Sequence, residues 1–237
     1  MLKVIKGYLI DKIDFIWIVD IKLNYTNRYE IRRKEMSVGR PKEFNVEEAL
    51  DRALQVFWSK GYEGTSLQDL TDAMGINRPS LYSTFGNKEQ LFRKALDRYF
   101  DNRRVFIDKA LNQPTAFKVV EYLLNEFAES QTNPENPLGC LVVQSALVCG
   151  EESDCIRKEL INRRLLIETA LCKRFERAKK EGDLPENVEP ADLARYVATF
   201  SQGMSVQAAS GASCEQLRKV VDLALRVWPK QNLSTNL

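Results

Sequence analysis

Histidine is absent from all 237 residues. This removes the imidazole base of Ser-His-Asp and Cys-His mechanisms, His-ligated zinc or iron, and imidazole pH switching. No catalytic residue is assigned, and neither a cofactor nor a metal site is expected. Glycine and proline are sparse, at 11 and 8. Ala, Leu, Glu, Lys and Arg fill the long stretches between them, which predicts a mostly helical chain. Cysteine is odd in number, with five (Cys140, Cys149, Cys155, Cys172 and Cys214) and no C-x-x-C spacing. With no secretory signal ahead of them, they suit a reduced cytoplasmic protein in which each is a small buried apolar side chain. Copper(I) binding by paired thiolates has no spacing to mark it. Long apolar runs are also lacking. Asp11, Asp14 and Asp20 interrupt the one candidate near the N-terminus, so no span of about 20 residues exists to cross a bilayer and no membrane partner is expected.

What is present is a globular composition. Hydrophobic residues make up 44% of the chain, enough to build a core in one fair-sized domain or two small ones. The formal net charge of +2 conceals an uneven distribution. Residues 1–35 carry eight Lys/Arg against five Asp/Glu, 43–72 carry two against seven, and 73–94 carry four against one. The last, basic block marks a candidate nucleic-acid surface, although a solvated face would look the same. Met36 is followed by Ser37-Val38-Gly39-Arg40-Pro41-Lys42, a short basic arm. Met36 is therefore expected to be the physiological start, and 1–35 an upstream extension with little fixed structure.

From Val46, apolar residues recur at Ala49, Leu50, Ala53, Leu54, Phe57 and Trp58, one stripe on a helix ending near Gly61. Thr65-Ser66-Leu67-Gln68 suggests a capping box with Thr65 as the cap and Gln68 as its partner, opening a second helix with Leu67, Leu70 and Met74 inward. Gly75-Ile76-Asn77 supplies a tight turn, and Asn77 can cap the next helix. That third helix, Arg78 to Phe85, has Pro79 in its first turn and only Leu81 and Phe85 facing inward. Its outer face is Arg78, Ser80, Tyr82 and Thr84, a guanidinium, hydroxyls and a phenol suited to base edges and phosphates in a major groove. Two short helices joined at a glycine turn form a helix-turn-helix. Asn87-Lys88-Glu89-Gln90 is a further capping box. It places Lys88 where its charge adds to the free N–H groups of a helix N-terminus, a candidate phosphate clamp.

The run Gly61-Tyr62-Glu63-Gly64-Thr65-Ser66, then Leu70, Ala73-Met74-Gly75-Ile76, Ser80-Leu81-Tyr82, Phe85, Lys88-Glu89 and Leu91-Phe92 resembles the N-terminal domain of TetR-family regulators over about 50 residues. The resemblance implies an all-α homodimer: an N-terminal three-helix helix-turn-helix domain that binds a palindromic double-stranded operator, and a C-terminal helical bundle for ligand binding and dimerisation. It implies phosphate contacts from Thr65 and Ser66, groove reading by Arg78, Pro79, Ser80, Tyr82 and Thr84, and anchoring by Lys88. The expected organisation is 36–86 for the DNA-binding domain, 87–110 for a connecting helix, 111–230 for the rear domain and 231–237 for a tail.

Beyond Leu111 the pattern stays helical, at about 115–131, 139–149, 152–181, 190–210 and 213–228. The last two carry apolar stripes, Leu193, Tyr196, Val197, Phe200 and Met204, then Leu217, Val220, Val221, Leu225 and Trp228. In the resembling family these two helices pair with their twins in the dimer. An apolar pocket for a small-molecule effector is expected near Phe117, Phe127, Cys140, Val143, Leu147, Phe175, Phe200 and Met204, although core packing explains the same residues. Leu138-Gly139-Cys140-Leu141 resembles a Gly-Cys-Leu segment of some family members, in a few of which the cysteine responds to oxidants or electrophiles; no cationic neighbour in the sequence marks Cys140 as reactive. The expected function is a DNA-binding repressor released by a ligand or electrophile. Two alternatives remain, a helical protein-interaction module that binds no DNA, and a cysteine enzyme, which lacks a base.

Overall fold

The computed structural model describes residues 44–148 and 153–229. The expected extension 1–35, Met36 with its basic arm, Cys149, the tail 231–237 and the side chain of Leu147 lie outside the described residues. Among the described residues nine helices follow one another: α1 (Val46–Lys60), α2 (Leu67–Met74), α3 (Arg78–Phe85), α4 (Lys88–Leu111), α5 (Ala116–Thr132), α6 (Leu141–Val148), α7 (Asp154–Lys180), α8 (Pro190–Ala209) and α9 (Cys214–Arg226). In the same residues there is no strand, and no helix is long and apolar enough to cross a membrane.

Local chemistry sets the boundaries of these helices. Asn45 caps α1 by accepting from the backbone N–H groups of Glu47 and Glu48, and Gly61 ends it at φ 70°. Asn77 caps α3 by accepting from Ser80 N, and Asn87 forms the expected box with Gln90 at α4. Gly75, at φ 67° and ψ 32°, makes the left-handed turn between α2 and α3, a conformation in which a Cβ is penalised.

One predicted cap is displaced by a residue. The N-cap of α2 is Ser66, not Thr65, and its partner is Asp69, not Gln68. Thr65 is buried and its hydroxyl donates to Gly61 O at 2.6 Å. Gln68 is exposed and donates instead to Asp72 at 2.8 Å. Asp69 wins the N3 position because its carboxylate accepts from Ser66 N at 2.9 Å and Ser66 Oγ at 2.8 Å, while Lys60 pairs with it at 2.6 Å. Those contacts, Lys60 first, hold the Asp69 carboxyl down at about 2.

Two hydrophobic cores result. The front core joins α1, α2, α3 and the first half of α4 through Leu50, Phe57, Trp58, Leu70, Leu81, Phe85, Phe92 and Tyr99. Leu141 and Val142 of α6 and Ile156 and Leu160 of α7 also enter it, so the helix-turn-helix rests on the start of two rear helices. The rear core joins α5, the later part of α7, α8 and α9 around Leu123, Leu124, Phe175, Val197, Val221 and Trp228. Helix α4 runs through both, with Leu96 and Tyr99 in front and Ala110 behind. Two arginines tie α4 to its neighbours. Arg98 makes a two-pronged ion pair with Asp51 of α1 (2.8 Å for each prong), and Arg163 of α7 pairs with Asp97 at 2.5 Å. Paired, hydrogen-bonded guanidinium groups of this kind fix orientation as well as contributing energy.

Candidate nucleic-acid interface

The α2–turn–α3 unit displays polar groups outward because so little of α3 is needed for the core. Only Leu81 and Phe85 of its eight residues are buried. Arg78 and Pro79 are exposed, Tyr82 is 48% exposed, and Ser80 and Thr84 are half-buried. Arg78 leans toward α2, where its Nη2 donates to Gln68 Oε1 at 3.4 Å. That long contact leaves most of the guanidinium donors free for an incoming acceptor.

Lys88 opens α4 and rests on the loop between α1 and α2, with Nζ 4.5 Å from the centre of the Tyr62 ring. Tyr62 is itself held between Phe57 and Phe92, at 6.4 and 5.0 Å between ring centres. Desolvation lowers the Lys88 ammonium from its ordinary value, and Glu63 pulls the other way. The ammonium is thus partly stripped of water and held over a ring beside free helix N–H groups, an arrangement that favours an arriving phosphate. Ser66, exposed at the cap of α2, closes the same loop. The structure therefore brings Lys88 against the loop that Ser66 closes, and Arg78 to the first turn of α2.

Thr65 departs from this group. Its hydroxyl is buried and committed to Gly61 O, so the expected phosphate contact through that side chain has no free group to make it. Two polar groups that the sequence pattern does not single out, Ser83 and Lys94, join the surface, together with Gln68, expected as a capping partner. Ser83 is exposed on α3, its hydroxyl donating to Ser80 O at 3.1 Å. Lys94 reaches the end of α3, donating to Thr84 O at 3.3 Å over the Phe85 ring. Gln68 supports Arg78. Helical periodicity marks Ser83 as outward, whereas the reach of Lys94 depends on how α3 crosses α4.

The expected effector residues do not gather around one opening. Phe117 and Phe175 pack on Trp228 at 6.5 and 5.9 Å. Phe127 packs on Phe106 at 5.6 Å, and Phe200 on Tyr196 at 6.3 Å. Val143 and Met204 are buried. Cys140 belongs with the front core, where Tyr99 Oη donates to its Sγ at 3.0 Å. Burial pushes the Tyr99 phenol well above its ordinary range, with Cys140 adding to the shift, so it stays a neutral donor. Two of the clefts on the described residues are large enough for a small molecule. One, of about 510 Å³, runs along Gln113, Lys118, Tyr122 and Glu126, and the other, of about 460 Å³, lies between α1, α4 and the loop after α5. The seven expected effector residues whose side chains are described line neither of them. Close packing claims large apolar side chains for the core before any pocket can use them.

Comparisons with known proteins agree with this geometry. Residues 49–95 match the family model described as bacterial regulatory proteins, tetR family. Over 201 residues the chain is 36% identical to the HTH-type transcriptional repressor ComR of Escherichia coli K12, covering 82% of this chain and 93% of that one. It is 32% identical to the uncharacterised HTH-type regulator YezE of Bacillus subtilis over 192 residues, 80% of this chain and 99% of the other. A cysteine mutant of the TetR-family regulator CifR, solved in complex with a 26-bp double-strand operator DNA, superposes with a TM-score of 0.78 at 42% identity, covering 81% of this chain and all of that one. The motif, the fold and the extent of these matches converge: the chain belongs to the TetR family of bacterial transcriptional regulators, which are DNA-binding proteins and not enzymes.

Proposed function

We propose that the chain is a dimeric, cytoplasmic repressor that holds a palindromic operator through α3 and leaves it when a small effector binds. The observation that carries this is α3 itself, which buries only two residues and leaves Arg78, Pro79, Ser80, Tyr82 and Thr84 exposed or half-exposed. In this reading Arg78, Tyr82 and Thr84 meet base edges, while Ser66 and Lys88 hold phosphates. Thr65 positions the loop without touching DNA.

A second copy of the chain is the natural cover for two outward apolar stripes. On α9, Leu217, Val221 and Ala224 are buried, while Val220 (45% exposed), Leu223 (58%) and the C-cap residue Val227 (72%) fall three and four residues apart along an adjoining exposed stripe. On α8, Tyr196 and Val206 are exposed, with Gly203 between them offering room for close approach. A two-fold dimer through these helices would set two copies of α3 about 34–36 Å apart, one turn of the duplex.

The test is fluorescence anisotropy with the intergenic DNA upstream of the protein's own gene, alongside sedimentation of the free protein. Binding that discriminates this DNA from a scrambled duplex, by a dimer, is expected. A monomer at micromolar concentration, or equal affinity for both duplexes, would refute the reading.

A further inference from the structure

The cleft of about 460 Å³ lies where the helix-turn-helix unit meets the rear helices. Asp51, Leu54, Gln55 and Trp58 of α1 form one wall, and Arg98, Tyr99, Asn102, Arg103 and Phe106 of α4 another. Ser130 of α5 and Asn133 and Asn136 of the loop after it close the third side. Its volume suits a small organic molecule.

The charges in this cleft do not cancel. Arg98 is occupied by Asp51 on two prongs and by Glu47 at 3.1 Å. Arg103 is not. It is 9% exposed, with its guanidinium carbon 3.7 Å from the Tyr99 ring centre and 4.9 Å from that of Trp58, and it makes no hydrogen bond or ion pair with any described residue. Ring faces soften the burial of a cation but leave its in-plane N–H donors to water or to an incoming acceptor. Trp58, lining the same cleft, also has an indole N–H without a partner among the described residues. The Trp58 N–H is enclosed beneath the cleft wall, whereas the Arg103 guanidinium keeps donors open to the cleft and has no counter-charge among the described residues, which points to an anionic acceptor supplied from outside. The remaining lining is mixed, with Leu54 and Phe106 apolar, and Gln55, Asn102, Ser130, Asn133 and Asn136 able to orient a polar end.

We infer that this cleft binds a small organic carboxylate with an apolar body, the carboxylate seated on Arg103 and the body against Leu54, Trp58 and Phe106. A fork of N–H groups matches a carboxylate in two-point geometry. Occupation would reach the DNA-binding unit directly. Gln55 of α1 donates to Asn136 at 3.1 Å across the cleft, and a ligand between them breaks this clasp and moves α1 relative to the rear loop. This consequence rests on the operator-binding reading above, whereas carboxylate binding does not.

Calorimetry with benzoate, phenylacetate and hexanoate on the full-length protein, with benzyl alcohol as the uncharged control, tests the site. At least one carboxylate should bind saturably, one per chain, and at least about tenfold more tightly than the alcohol. Arg103→Met, which keeps the stem but not the charge, and Asn102→Asp, an exposed change on the rim, should each weaken it about tenfold or more. Arg103→Lys, which keeps the charge but not the fork, should weaken binding less than Arg103→Met does, and circular dichroism confirms folding of each variant. No saturable carboxylate binding, equal binding of benzyl alcohol, or undiminished binding in Asn102→Asp would overturn the inference. Operator anisotropy with the binding carboxylate, at ionic strength matched with chloride, then tests the coupling. Operator binding that fails without any ligand sinks the operator reading and leaves the calorimetric result standing.

Discussion

Replacing Lys88 by Ala tests the proposed DNA interface through the salt dependence of binding. Lys88 stands at the first position of α4 with its ammonium 4.5 Å over the Tyr62 ring. If it neutralises one phosphate, a dimer loses two such contacts. Each contact contributes about 0.9 to the slope of log K against log salt, so the slope should become shallower by about 1.8. Between about 50 and 200 mM salt the wild type should then lose about twelvefold more affinity than the variant. Operator and scrambled DNA should be affected alike, because a phosphate contact carries no sequence information. Tyr82→Ala is the contrast. The ring is 48% exposed on the outer face of α3, and its loss should weaken operator binding by about tenfold or more while leaving the slope and the scrambled-DNA affinity nearly unchanged. The assay is anisotropy over a series of salt concentrations on both duplexes. An unchanged slope in Lys88→Ala would refute the phosphate role, and equal loss on both duplexes in Tyr82→Ala would refute the reading role.

The other predictions concern the scaffold. Gly139 and Gly75 both sit in the left-handed region, at φ +80° and +67°, but a Cβ on Gly139 would lie 2.8 Å from Ser205 O and 2.5 Å from Gln144 Nε2, whereas on Gly75 its nearest neighbour is the flexible Arg52 end at 3.6 Å. Urea unfolding at one protein concentration should show a loss of about 1 kcal/mol for Gly75→Ala and about 2–4 kcal/mol for Gly139→Ala; equal losses would contradict the packing argument. Leu223→Glu, on the exposed stripe of α9, should shift the protein toward monomer in sedimentation and lower operator affinity without unfolding the subunit. The Asp69 carboxyl is depressed from 3.8 to about 2, so its contribution to the α2 cap is complete above about pH 4 and is lost as pH falls through about 2. A carbon-13 titration should place its midpoint near 2, rising toward 3.8 in Lys60→Ala.

The range of each interaction decides how much of the molecule is legible in its sequence. Helices α1 to α4 are set by short-range signals: the stripe Ala49, Leu50, Ala53, Leu54, Phe57 and Trp58 is the buried face of α1, and Asn77, Asn87, Gly75 and Pro79 set the ends and turn as their chemistry predicts. The α2 cap falls one residue beyond its expected place because Thr65-x-x-Gln68 and Ser66-x-x-Asp69 both fit the local pattern. Lys60, nine residues away, breaks the tie by pairing with Asp69, as does a buried site for the Thr65 hydroxyl. Stripes on α8 and α9 are legible as apolar but not as two-sided. Tyr196 and Val220 fall in the same stripes as the buried Val197 and Val221, although each lies on the exposed side, 40% and 45% accessible. Periodicity finds an apolar helix face but does not say which chain covers it.

The effector site shows the same limit from the opposite direction. The large apolar residues expected to line a pocket are taken up by the core. The cleft that opens instead is marked by an arginine that no one-dimensional pattern distinguishes from Arg104 beside it. Arg103 acquires its character only when α4 lays it between Trp58 and Tyr99, 45 residues and four residues away, and leaves it without a counter-charge among the described residues. Tyr99 in turn donates to Cys140, so the cation, the phenol and the thiol form one contact chain from the cleft to the start of α6. A ligand on Arg103 and a modification on Cys140 would act on the same side chain, Tyr99. Tyr99→Phe keeps the ring beneath Arg103 and removes only the donor to the thiol. Carboxylate affinity should therefore survive that substitution within a few-fold, while the rate of thiol labelling at Cys140 changes. Loss of carboxylate binding in Tyr99→Phe would show that the hydroxyl, and not the stacked guanidinium, holds the site together.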